Sequence, residues 1–435
     1  MFVIICLACV GGIGWAIVRP SALNPFSRII AARSQDAQAG TSASTGAGTT
    51  AGDASSQTDA SQQAQQSEAQ QSTNDAQTQE QAGTPKDPAD AAASAKARLS
   101  TMSLEEKAGQ TMMVPLQNTD DPSSVRSLLA DGHVGSVVLL GQWTTGTAGV
   151  RQAVDALQAQ AGDANRLLVT VDQEGGQVQH LKGNGFSTMP SAVEQGRMDA
   201  DTLRAQAKAW GAELAKAGVN VDLAPVADTV TVADRSSNAP IGALDRDFGL
   251  DSAANATHAT AFVQGMADAG VMATVKHFPG LGGVTGNTDF TAEGIVDETT
   301  TADGDGVAAF KRVIDDADPA MVMMALATYT QLDASAPAAF SPTVVDGLLR
   351  GKLGYGGVVI SDSLSAAAVS GIPEAQLGVR FIQAGGDLVC VGDPAQSQAI
   401  LDGIVAAAKA DTDFAKKVDQ AALRVLTLKA ERGLL

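Results

Sequence analysis

The chain has 435 residues, of which 29 are Lys or Arg and 48 are Asp or Glu, for a formal charge of −19. So acidic a surface repels polyanions, which excludes nucleic acid as a natural partner. The apolar fraction of 44% suffices for a large core, but 11 Phe, 3 Trp and 2 Tyr leave few platforms for stacking bases or building an aromatic polymer-binding groove. Of the 3 Cys, Cys6 and Cys9 lie near the start, so there is no even disulfide set and no CxxC pair in the body of the chain.

Residues 2–18 (FVIICLACVGGIGWAIV) are uncharged and mostly apolar, just long enough to cross a bilayer as one helix. Residues 1–19 are therefore expected to act as a signal peptide or membrane anchor. Arg19, Arg28 and Arg33 all follow this stretch, an order that by the positive-inside rule keeps the body cytoplasmic. A start assigned downstream of a lost basic stretch removes that conflict. Cys9 after Leu7-Ala8 is similar to a lipoprotein processing site, though without the basic start such sites carry. Residues 34–96 are dominated by Ala, Gln, Ser, Thr, Gly and Asp, with no aromatic residue and no hydrophobic period. Such a segment cannot bury enough surface to offset chain entropy, and it reads as a disordered linker. A Ser/Thr-rich tether behind a membrane segment suits a domain that reaches into a surrounding matrix, so the body is expected to be extracytoplasmic, secreted or anchored to the cell membrane.

From residue 97 to 435, short β-branched runs alternate with amphipathic stretches, the pattern of βα units around a parallel sheet. Strands are predicted at 112–116, 135–141, 167–172, 219–225, 271–276, 320–325, 357–362 and 387–391. Helices are predicted between most of them, for example at 201–217 and at 343–350, the latter capped by Ser341-Pro342. Eight strands point to an α/β fold of the closed (β/α)8 TIM-barrel type. The alternative is an open doubly wound sheet, disfavoured because no Gly-rich fingerprint follows the first strand.

In a βα barrel the carboxyl ends of the strands share one mouth, so charged strand ends are the place to look for chemistry. The third strand ends in Asp172-Gln173-Glu174-Gly175-Gly176, the fourth in Asp222 with Pro225 and Asp228 beyond, the fifth in Lys276-His277-Phe278-Pro279-Gly280, and the seventh in Ser361-Asp362-Ser363. Asp362 closes an apolar strand and is placed either as a rim nucleophile or as the N-cap of the next helix. Lys276 and His277, being adjacent, are not expected to share one face of a strand. The loop that follows carries Gly280, Gly282, Gly283 and Gly286, enough glycine for a mobile lid. Asp172 beside Gly175-Gly176 is either a ligand-facing carboxylate or an ordinary acidic turn. Rims of Asp and Lys suit ligands rich in vicinal hydroxyls.

These segments, in this order and over roughly residues 100–435, resemble the barrel domain of glycoside hydrolase family 3, within it the single-domain β-N-acetylglucosaminidases. The resemblance rests on Asp172–Gly176 (DQEGG), Val219–Asp228 (VNVDLAPVAD), Arg246–Gly249 (RDFG), Lys276–Gly280 (KHFPG) and Gly357–Leu364 (GVVISDSL). It implies a retaining glycosidase with Asp362 as nucleophile and with Asp172, Arg246, Lys276 and His277 holding the sugar's hydroxyls. The larger members of the family carry an acid/base on a second domain, so in this chain the proton donor is sought on the barrel.

The chain departs from the acetylglucosaminidase pattern after KHFPG. Where that branch has His-Gly-Asp and then Asp-Ser-His, whose Asp and His form the acid/base dyad, this chain has Leu281-Gly282-Gly283 and then Asn287-Thr288-Asp289. Gln177 stands where the family commonly has Arg, Ser363 where it often has a second Asp, and Ala325–Thr328 (ALAT) where a His is common. Asp289 then either serves as the acid directly, if burial raises its pKa, or merely shapes the loop. Two functions follow: a retaining hydrolase of β-N-acetylglucosaminides or related β-glycosides, cell-wall fragments among the candidate substrates, or a catalytically impaired glycan-binding or scaffolding barrel. No metal-ligand cluster or phosphate-cradling motif is present in the sequence, so no cofactor is expected.

Overall fold

The computed structural model describes residues 86–435. The hydrophobic segment 1–19 with Cys6 and Cys9, and the stretch 34–85 of the expected linker, lie outside the described residues. Residues 88–96, assigned to the linker from composition, belong instead to a helix, Pro88–Thr101, which buries Ala91 and Ala95. Among the described residues no helix is long and apolar enough to cross a membrane.

Eight parallel strands form the ring: β1 (Met112–Gln117), β2 (Ser136–Leu140), β3 (Leu168–Val171), β4 (Val221–Asp222), β5 (Met272–Phe278), β6 (Met321–Met324), β7 (Val358–Ser361) and β8 (Val389–Cys390). They pair in sequence order, β8 returns to β1, and a bridge between Ile360 and Leu388 joins β7 to β8. The eight predicted strands are all present. The fourth is shorter than the 219–225 expected, although Leu223 N–H still donates to Val171 O at 2.8 Å and a bridge pairs Val226 with Lys276 beyond Pro225.

The two-residue period of the strands divides the core. Met113, Val138, Leu140, Leu168, Val221, Leu223, Met272, Met323 and Ile360 fill the interior, with Val425 and Leu428 of the C-terminal helix Thr412–Glu431 packed against that cluster. Their sequence neighbours Val114, Val137, Val169 and Ala273 face the other way and meet the surrounding helices. The barrel is therefore a packed plug with a mouth, not a pore.

The helical cover is started by side-chain caps. Asp199 accepts from the Thr202 N–H to begin Ala200–Lys216, and Asp251 accepts from the Ala254 N–H to begin Ser252–Asp268. The segment predicted as a helix at 343–350 winds over Thr343–Lys352 with wider, π-type hydrogen bonding, as in the Leu353 N–H to Leu348 O bond of 2.9 Å.

Candidate active site

A cavity of about 200 Å³ opens at the carboxyl ends of the strands. Its floor is the top of the barrel interior, with Val138, Leu140, Leu223, Met323 and Cys390, so it is blind at depth. Asp172, Arg246, Lys276, His277, Asp289 and Asp362, the six residues singled out in the sequence, all line it. They arrive from three strand ends and two loops.

On one wall the charges form a chain. Lys276 Nζ lies 2.5 Å from Asp172 Oδ1 and 2.6 Å from Glu174 Oε1. Arg246 forks onto the same Glu174 carboxylate, Nη2 at 2.7 Å and Nε at 2.9 Å, and its Nη1 donates to the Pro240 carbonyl at 2.9 Å. Burial by itself raises the Glu174 pKa, but the Arg246 and Lys276 charges outweigh it and hold the carboxyl well below the usual carboxylate range. Burial works against the charge on Lys276 too, and Asp172 and Glu174 overcome it, keeping the ammonium above its ordinary value. Glu174, Lys276 and Arg246 thus stay ionised near neutrality, and ion pairs fix them to one another and to Asp172. Glu174 is the residue that sequence reasoning passed over: it does not line the cavity, yet it holds both cations that do. Its signal was its place two residues after Asp172 on a strand end, where period two returns a side chain to the same side.

His277 is held from behind. Its Nδ1 donates to Asp228 Oδ2 at 2.8 Å, while Asp228 Oδ1 accepts the backbone N–H groups of His277 and Leu281 at 3.2 and 3.0 Å. This leaves Nε2 for a ligand. The expectation that Lys276 and His277 lie on opposite faces is corrected here, since both line the cavity. The strand is irregular at this point: the pairing of β5 with β6 slips between Val275 and Phe278. Deeper in the wall, Asp222 is fully buried with Oδ1 accepting the Gln173 N–H at 3.0 Å, and burial pushes its pKa well above the ordinary value.

Asp362 ends β7, as its strand required. Its backbone N–H donates to Met324 O at 3.0 Å, and its Oδ1 accepts the Ser363 N–H at 2.7 Å. The side chain caps only its own neighbour and lines the cavity, rather than starting a regular helix.

Opposite wall residues Asn287, Thr288 and Asp289 come from the glycine-rich loop. That loop is tied down rather than free to swing as the glycine content suggested. Thr288 O and Asp289 O accept the N–H groups of Ala368 and Ala367 at 3.0 and 3.2 Å, which fastens the loop to the turn following Asp362. Asn238 Nδ2 donates to Leu281 O and Val284 O, and the Tyr329 hydroxyl donates to Gly280 O. The glycines serve close approach: a Cβ on Gly282 would lie 1.7 Å from Thr229 O. Asn287 Oδ1 accepts the Asp289 N–H at 2.9 Å, shaping the turn that aims Asp289. Burial, then the Asp362 charge, push the Asp289 pKa from 3.8 up to about 7, against the opposing pull of Arg246.

Among the described residues no cluster of His, Cys, Asp and Glu is disposed to hold a metal ion. His180, which also lines the cavity, has Nδ1 2.6 Å from Gly141 O, and burial holds its pKa below the ordinary value.

Comparison with known proteins agrees with this architecture. Residues 103–428 match the glycosyl hydrolase family 3 N-terminal domain. The structure is similar to that of a β-N-acetylhexosaminidase from Beutenbergia cavernae, with TM-score 0.73 and 45% identity over 75% of this chain and 98% of that one. In sequence the chain is 34% identical to the β-hexosaminidase LpqI of Mycobacterium tuberculosis over 75% of this chain and 83% of that protein. It is 29% identical to a secreted glycosyl hydrolase of Arthroderma benhamiae, over 75% of this chain and 93% of the relative. The chain belongs to glycosyl hydrolase family 3.

Proposed function

We propose that this glycosidase removes a terminal β-linked N-acetylglucosamine, or a closely related β-glycoside, with retention of configuration. The observation that carries the reading is that Asp289 and Asp362 line one blind cavity, where burial and the Asp362 charge raise the Asp289 pKa. Asp289 is pushed to about 7 by burial and by the Asp362 charge, so near neutrality it still holds a proton for the leaving group. In the first step an Asp362 oxygen forms a bond to the anomeric carbon as the glycosidic C–O bond breaks, and the Asp289 proton goes to the departing oxygen. In the second step Asp289, now a carboxylate, takes a proton from the water that attacks the same carbon and releases Asp362. Two inversions give net retention.

The ionised wall is suited to hold the sugar. Asp172, with one oxygen on Lys276, keeps a second for a hydroxyl, and Arg246, Lys276 and His277 Nε2 supply polar contacts around it. The closed apolar floor admits one terminal unit and no internal chain. The names of the relatives favour an N-acetylhexosaminide over a glucoside. Residues 1–19 and the secreted relative support an extracytoplasmic site of action, with cell-wall fragments as substrates.

The test is to expose the full chain to a fluorinated mechanism-based N-acetylglucosaminide and to map the adduct by mass spectrometry. Labelling of the peptide bearing Asp362, lost in Asp362→Ala, is expected. A chain that binds the sugar saturably but neither turns over substrate nor forms the adduct is a glycan-binding barrel, and the catalytic reading fails.

A further inference from the structure

The rim of the cavity carries one feature that the proposed chemistry does not use. Phe290 follows Asp289 directly and lines the mouth, and with Val296 it is one of two large hydrophobic side chains standing exposed among the described residues. Among the described residues it is 39% exposed where nearly all other aromatic rings are buried, and it is the one Phe, Tyr or Trp side chain lining the cavity. Its backbone is held in place, because the Phe290 N–H donates to Asn287 O at 3.0 Å within the loop already fastened to Ala367 and Ala368.

Along this loop Thr288 is 2% and Asn287 8% exposed, Asp289 is partly buried, and Phe290, the next residue, stands 39% exposed. A proton donor must reach the glycosidic oxygen. The residue that lies beyond the donor toward solvent therefore flanks whatever is attached to that oxygen, not the terminal sugar in the blind end. An exposed aromatic face carried there matches the C–H-lined face of a pyranose ring, which buries apolar area without needing directed hydrogen bonds. We infer that Phe290 is the platform for the leaving group, and that the preferred substrate carries a second sugar ring next to the bond that is cut. This rests on the glycosidase reading with Asp289 as donor.

The experiment compares wild type, Phe290→Ala and Phe290→Tyr on two substrates with the same terminal sugar. One is the β-linked disaccharide of N-acetylglucosamine. The other is the β-glycosyl fluoride, whose leaving group has no ring to stack and departs without protonation. Covering the exposed part of a Phe ring corresponds to about a tenfold change in kcat/KM. Phe290→Ala is expected to lose about that much on the disaccharide, mainly through KM, to stay within about twofold of wild type on the fluoride, and to be rescued by Phe290→Tyr. A loss that is equal on the two substrates, or absent on both, overturns the platform role while leaving the glycosidase reading intact. A wild-type protein that hydrolyses neither substrate overturns that reading and this inference with it. Because Phe290 is exposed, its truncation leaves no cavity in the core.

Discussion

Replacing Asp289 by Asn tests the division of labour between the two carboxyls. With its pKa at about 7, Asp289 is mostly protonated in mildly acidic solution and mostly ionised above neutrality. The fraction able to donate a proton falls about tenfold between about pH 6 and pH 8. Wild-type kcat/KM on a disaccharide should fall with it, with a break near pH 7. Asn cannot donate a proton, so Asp289→Asn should lose about 10²–10⁴-fold on the disaccharide and show no such break. On the glycosyl fluoride, which needs no proton, neither the fall with pH nor the loss is expected. The shift also links to stability. The folded state holds this proton more tightly than the unfolded chain, so the contribution is complete below about pH 4 and is lost as the pH rises through about 7. Taken in full the shift amounts to about 4 kcal/mol. Asp289 is partly exposed, and screening reduces the expectation to about 1–2 kcal/mol. Asp289→Asn should thus be more stable than wild type at pH 8 and not at pH 4, read from urea midpoints. Equal losses on disaccharide and fluoride, or a wild-type profile on the disaccharide that is flat from pH 6 to 8, would refute the assignment of Asp289 as the acid.

Two further outcomes follow from the site's supports. Lys276→Met leaves Asp172 and Glu174 with Arg246 as their remaining cation and should cost about 3–5 kcal/mol in urea unfolding at pH 7. The deficit should shrink as the pH is lowered and the stranded carboxylates take up protons; a loss under about 1 kcal/mol would show that the buried chain of charges is not coupled as described. Gly282→Ala places a Cβ against Thr229 O and should cost about 2–3 kcal/mol while lowering kcat on the disaccharide more than on the fluoride, because the displaced loop carries Asp289. A variant with wild-type midpoint and kcat would mean that the loop tolerates movement after all.

The barrel was legible in the sequence because each strand is a short apolar run bounded by turn residues, and that local pattern survives whatever the strand packs against. Asp172, Lys276 and Asp362 were legible because each ends such a run, and strand ends in a barrel meet by construction. Other features needed the third dimension. Adjacent residues normally point to opposite faces of a strand, so nothing local announced that Lys276 and His277 both reach the cavity. Counting glycines suggested mobility, whereas contacts with Thr229, Asn238 and Ala368, far away along the chain, make the same loop a fixture.

Asp289 marks the division between the two levels. The sequence by itself determined that a carboxyl stands where relatives of the acetylglucosaminidase pattern have an imidazole, and that the loop bearing it follows the fifth strand. Whether that carboxyl holds a proton near neutrality was decided by the tertiary structure alone. Its pKa is set by how much water reaches it and by the charge on Asp362, which lies on a different strand; both depend on distances that no local run of residues encodes.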